Sequence, residues 1–131
     1  MDATEVEFPQ GMPGFPGRRR FALETLGDGP LQRLVSREPP GGPNFVVIEP
    51  ALVFPDLGEL ELDEATVELL HVDRPEQVRI LSVLTVADGR VTANLLGPVV
   101  LNVSAGLGCQ VIAEGRPVRA SLSDRSLACL S

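Results

Sequence analysis

VRILSVLTVADGRVTANLLGPVVLN, residues 78–102, decides how this chain folds. Residues 78–86 are strand-like, with branched and aliphatic side chains and no proline or glycine. Asp88-Gly89 supplies the two positive-φ positions of a tight type I′ hairpin, and residues 91–96 form its return strand. Gly97-Pro98 then breaks the ladder, because proline has no N–H to donate. Working outward, residues 99–103 and 109–113 are predicted to pair through a Gly106-Leu-Gly108 turn. Gln110 and Ile112 then lie on the face opposite Cys109 and Val111. Asn94, Asn102 and Gln110 stand where aliphatic residues are expected in such strands. A buried carboxamide costs roughly 1–3 kcal/mol unless its donors and acceptors find partners. These three residues, with Pro98, therefore either fix a backbone crossing or meet another molecule.

The first half of the chain continues the pattern. A short extended piece ends at Val6 and Phe8, and the Pro/Gly-punctuated residues 11–17 cannot be regular structure. Residues 20–26 alternate as a half-buried strand with Phe21 and Leu23 on one face, and residues 31–36 read likewise. After an irregular loop at residues 39–43, residues 45–48 are too continuously apolar for an exposed edge and are predicted to be a central strand. One helix is expected, over residues 64–70. Asp63 is its N-cap, Glu64 suits the positive end of its dipole, and Leu62 and Val67 stand at hydrophobic-staple positions. So short a helix must be held by packing of Val67 and Leu70. The fold class predicted is mainly β: a small β-barrel-like fold of about eight short strands with one short helix covering an end. Residues 1–131 form one domain, with fraying expected in the tail after about residue 119.

Composition narrows the function. Hydrophobic residues at 44% and charged residues at 22% are globular values that argue against wholesale disorder. Five Phe without Trp or Tyr give little platform for base stacking. All eleven basic residues are Arg, and eighteen acids leave a net charge of −7, which disfavours a polyanion as a general partner. No apolar run of membrane-spanning length occurs, and Asp2, Glu5 and Glu7 stand where a secretory signal is basic and then apolar, so a cytoplasmic protein is expected. Cys109 and Cys129 are then reduced thiols. The charge is unevenly placed: residues 49–76 hold nine acids and one Arg, a local charge of −8. Such a segment is either a solvated strand edge and helix face or a docking surface for a basic protein.

Each requirement of a catalyst can be checked against the residues. His71 follows the predicted helix, where a donor helps to satisfy terminal carbonyls. Two cysteines and one histidine cannot fill a four-ligand zinc site. Gly106 and Gly108 lie between strands with no helix following, so they are turn residues and not a phosphate cradle. Glu59, Glu61, Asp63 and Glu64 lack the ligand spacing of a calcium loop, and alternation of Glu59, Leu60, Glu61 and Leu62 describes a strand with one wet face. Arg18, Arg19 and Arg20 form the basic cluster and read as a solvated strand entry. No cofactor or metal is expected. The alternative from another class is a small-molecule-binding or hydrolytic barrel using His71 and nearby carboxylates.

Several of these stretches together resemble the FliW family of flagellar assembly factors. The likeness spans roughly residues 6–113. It runs through Gly11-Met-Pro-Gly-Phe15, Phe21-Ala-Leu23, Leu31-Gln-Arg-Leu34, Asn44 to Pro50 and the acidic segment with its helix. It is closest in residues 92–102 and Gln110-Val-Ile112. The resemblance implies a small β-barrel-like fold and a non-enzymatic protein antagonist. FliW-like proteins bind CsrA, a basic dimeric translational repressor, and also flagellin, so that flagellin level controls flagellin synthesis. By similarity this chain would grip the repressor outside its RNA-contacting surface and lower RNA affinity allosterically, itself contacting neither nucleic acid nor membrane. Candidate contact residues are Glu59, Glu61, Asp63 and Glu64 for steering, and Asn94, Pro98, Asn102 and Gln110 for shape.

Overall fold

A computed structural model, describing residues 3–122 apart from residues 13, 16 and 40, resolves the alternating sequence into nine strands and one α-helix. The strands are β1 (Ala3–Glu7), β2 (Arg20–Thr25), β3 (Gln32–Ser36), β4 (Asn44–Ile48), β5 (Val78–Ala87), β6 (Arg90–Ala93), β7 (Val99–Asn102), β8 (Leu107–Gln110) and β9 (Ala120–Ser121), and the helix is α1 (Glu64–Leu69). Seven strands close on themselves in the order β4-β3-β2-β1-β8-β7-β5, with β5 returning to β4. Closure removes the open edges that an isolated sheet of this size would expose. All pairs in the ring are antiparallel except β1 with β8, which meet in parallel at Glu7 and Leu107.

β5 holds the fold together. Its residues 78–81 pair with β7, Ser82 and Val83 cross to Ile48 and Val47 of β4, and residues 84–87 pair with β6. β6 in turn carries β9, so Ala120 and Ser121, at the start of the tail expected to fray, pair with Ala93 and Thr92, and Leu122 is buried beside them. The rest of the tail, Cys129 included, lies outside the described residues. The two-residue hairpin forms as read: Asp88 and Gly89 both have positive φ, 52° and 74°, between paired Ala87 and Arg90. β4 is internal to the ring, with β3 on one side and β5 on the other.

The two faces of β5 feed different cores. Leu81 and Val83 point into the barrel with Val6, Phe8, Phe21 and Leu34, where Phe8 meets Phe21 edge-to-face at 5.4 Å. On the outside, Val78 joins Leu70, Val100 and Cys109 beneath α1, while Leu84 joins Ile48, Ala93 and Leu122 beneath the β6–β9 flank.

The β7–β8 connection differs from the sequence reading. The turn falls at residues 103–106, with Gly106 at φ 70°, and β8 begins at Leu107. Gly108 is no turn residue: it sits inside β8 opposite Leu101, where a Cβ would come within 2.6 Å of Leu101 Cδ2 and 3.0 Å of Phe8 Cζ. Its hydrogen makes room for the barrel core. β6 likewise stops at Ala93, short of the expected Leu96, because Asn94 turns the chain.

Candidate functional site

The acidic segment leaves β4 through Glu49 and a 3-10 turn at Pro50–Leu52, and a second turn closes with Leu57 N–H donating to Phe54 C=O at 3.1 Å. Gly58 adopts a left-handed φ of 81°. From there Glu59 and Glu61 are exposed while Leu60 and Leu62 are half-buried against the outer core, so the expected alternation of exposure is present, but the segment pairs with no strand among the described residues and is not the strand expected. Asp63 then caps α1, its Oδ1 accepting the Thr66 N–H at 2.8 Å. That hydrogen bond holds the Asp63 carboxyl below the usual carboxylate range.

At the far end Leu70 is the C-cap and is fully buried, and His71 follows with φ 54°. Asn102 joins this helix end to the barrel. Its Nδ2 donates to Leu70 C=O at 2.8 Å and His71 C=O at 3.1 Å, and its Oδ1 accepts the N–H groups of Ser104 at 3.0 Å and Ala105 at 3.1 Å. One buried carboxamide thus fastens the helix and shapes the β7–β8 turn at once, using both donors and its acceptor oxygen twice.

Asn94, Pro98 and Gln110 brace a different crossing. Asn94 Oδ1 accepts the Gly97 N–H at 2.9 Å, and Gln110 Nε2 donates to Gly97 C=O at 2.8 Å. A Cβ on Gly97 would stand 2.5 Å from Gln110 Nε2. Pro98 is buried and its carbonyl accepts the Val111 N–H at 3.0 Å. The four residues predicted as a shape-reading group therefore divide between two internal braces. Gln110 also lines a shallow groove of about 460 Å³ with Asp63, Thr66 and Glu68.

The electrostatics of the segment are lopsided. Among the described residues the ion pairs are Arg33 with Glu24, Arg37 with Glu5, and Arg79 with Glu49. Of the nine acids in residues 49–76, Glu49 alone has a cationic partner, so Glu59, Glu61, Asp63 and Glu64 present uncompensated charge at the surface. The basic cluster behaves as its strand-entry reading expected: Glu38 accepts the Arg19 and Arg20 N–H groups and Arg18 donates to Glu38 C=O at 2.6 Å. His71 is exposed, and its carbonyl serves the Asn102 brace. Among the described residues no three His, Cys, Asp or Glu side chains gather as metal ligands. Cys109 is a buried thiol pushed up by desolvation.

Sequence reasoning missed a pair of apolar grooves beside the acidic segment. One, about 520 Å³, runs past Pro50, Leu57 and Arg116; the other, about 450 Å³, runs past Leu62, Val67 and Val72. Leu60, Pro75, Val78 and Ile80 belong to both. The signal was present in β5, which is apolar on both faces: Leu81 and Val83 fill the barrel, while Val78 and Ile80 remain for the outside.

Comparison with known proteins gives one answer. The sequence matches the family described as FliW protein over residues 1–122. A flagellar assembly factor FliW from Anoxybacillus flavithermus is 40% identical over 116 residues, covering 87% of this chain and 79% of its own. The one from Bacillus subtilis is 34% identical over 113 residues, covering 82% and 76%. A crystal structure of the flagellar assembly factor FliW superposes with a TM-score of 0.79 at 38% identity, over 90% of this chain and 83% of that one.

Proposed function

Since the chain belongs to the FliW family, we propose that it serves flagellar assembly as a regulatory binding protein with two polypeptide partners, a CsrA-like basic translational repressor and flagellin. It transforms no substrate. It acts in the cytoplasm, where free protein binds the repressor outside its RNA surface and relieves repression of flagellin translation, and where flagellin withdraws it. One observation carries this reading: eight of the nine acids in residues 49–76 lack a cationic partner among the described residues, on a segment whose helix is capped by Asp63 and tied to the barrel by Asn102. Unneutralised like charges oppose folding, so their retention on a fixed scaffold supports a role outside the molecule. Such a surface attracts a basic protein and repels RNA phosphates. Partner exchange needs little energy, since a tenfold preference is about 1.4 kcal/mol.

The experiment is an RNA-release titration. Adding the protein to a repressor–RNA complex should free the RNA without entering a complex with RNA itself, and adding flagellin should restore the repressor–RNA complex. RNA that stays bound at saturating protein would reject the antagonist role.

A further inference from the structure

Residues 58–62 run from a turn to the N-cap of α1 without joining any sheet. Among the described residues none of their backbone N–H groups donates a hydrogen bond, and their carbonyls accept one, from Arg116 to Glu59 C=O at 3.4 Å. Backbone groups are obligatory hydrogen-bonding groups, and a bare row of them is a template for another strand. Here the template is shaped. Leu60 is the wall between the two grooves, about 520 Å³ and 450 Å³, whose common floor is Val78 and Ile80. An extended segment laid along residues 58–62 would meet the unpaired amides. Its same-side residues, roughly 7 Å apart, would fall into the grooves on either side of Leu60.

Charge selects the occupant. Glu59 and Glu61 project from this edge, exposed and without ion pairs among the described residues. A second copy of the chain pairing here would bring its own carboxylates against them, and like charges facing each other across a strand pair are destabilising. A segment carrying Arg or Lys at alternate positions meets opposite charge instead. Resting on the function proposed above, we propose that residues 58–62 are the docking edge for an extended, positively charged segment of the basic repressor, held by backbone pairing and by apolar side chains seated beside Leu60.

Amide hydrogen exchange on the full chain, alone and saturated in turn with the repressor and with flagellin, tests this. The N–H groups of residues 58–62 should exchange fast in the free chain and slow by roughly tenfold or more in the repressor complex. Successive N–H groups of an extended segment point to opposite sides, so Leu60→Pro or Glu61→Pro should weaken that complex by roughly tenfold through loss of a donor, and Glu61→Pro, at an exposed position, should leave thermal melting little changed. A repressor complex in which residues 58–62 exchange as in the free chain overturns the docking edge and leaves the proposed function standing. Absence of a complex with either polypeptide overturns both. Concentration-dependent protection in the chain alone, with a dimer in sedimentation, overturns the charge argument and the proposal with it.

Discussion

Replacing Asn102 by Ala should loosen the acidic segment from the barrel. The side chain makes four hydrogen bonds of 2.8–3.1 Å, two to the carbonyls that end α1 and two from the N–H groups of the β7–β8 turn. A hydrogen bond is worth about 1 kcal/mol net, and a buried group left unsatisfied costs about 1–3 kcal/mol. The Ser104, Ala105 and His71 groups lie near solvent and can rehydrate, whereas the Leu70 carbonyl belongs to a fully buried residue. The expected loss is therefore roughly 2–4 kcal/mol, among the larger single-residue effects. For a chain of this size that is roughly 8–16 °C in melting temperature. The assay is far-UV circular dichroism melting, with amide exchange over residues 64–72 to locate the change. Asn102→Asp keeps the acceptor for Ser104 and Ala105 and removes the donors to Leu70 and His71, so it should still free the helix end. If Asn102→Ala melts within about 2 °C of the parent, the brace reasoning is refuted.

Three further outcomes are expected. Gly97→Ala drives a methyl group to 2.5 Å from Gln110 Nε2, the free end of a flexible side chain that must swing away and give up its bond to Gly97 C=O, and should cost roughly 1 kcal/mol; combined with Gln110→Ala the losses should be less than additive in denaturant unfolding. Gly108→Ala overpacks the barrel against Leu101 and Phe8 and should cost roughly 1–3 kcal/mol, lowering the urea midpoint without changing m. Asp63→Ala removes the cap of α1. Because the folded Asp63 carboxyl is depressed, the stabilisation is full above the ordinary aspartate pKa of about 4 and fades as pH falls through the lower folded value. The gap in melting temperature between Asp63→Ala and the parent should accordingly narrow in acid.

Local chemistry was legible in the sequence and long-range geometry was not. Asp88-Gly89 and Asp63 could be read because positive φ and N-capping are decided within a few residues. Closure of the barrel depends on β4 meeting β5 and on β1 lying parallel to β8, contacts between segments remote in the chain that no local pattern encodes. Gly108 was misread for the same reason: its constraint comes from Phe8, at the other end of the sequence, while Gly106 two residues away does serve the turn. Asn94, Asn102 and Gln110 stood out as carboxamides in apolar strands. Their internal partners, the Gly97 peptide and the end of α1, appear only once the chain is folded. The grooves flanking Leu60 escaped notice because their floor is the outward face of β5 and their wall comes from the acidic segment.

The central claim is that the unpaired acids of residues 49–76 are presented, on a fixed edge, to a basic polypeptide. Association rates with the repressor, measured by stopped flow from about 50 to 500 mM salt, test it most directly. The parent should associate rapidly at low salt and slow steeply as salt rises, and Glu59→Lys with Glu61→Lys should associate more slowly with a flatter dependence and an unchanged melting temperature. Rates that coincide for parent and variant across the whole salt range would contradict the account.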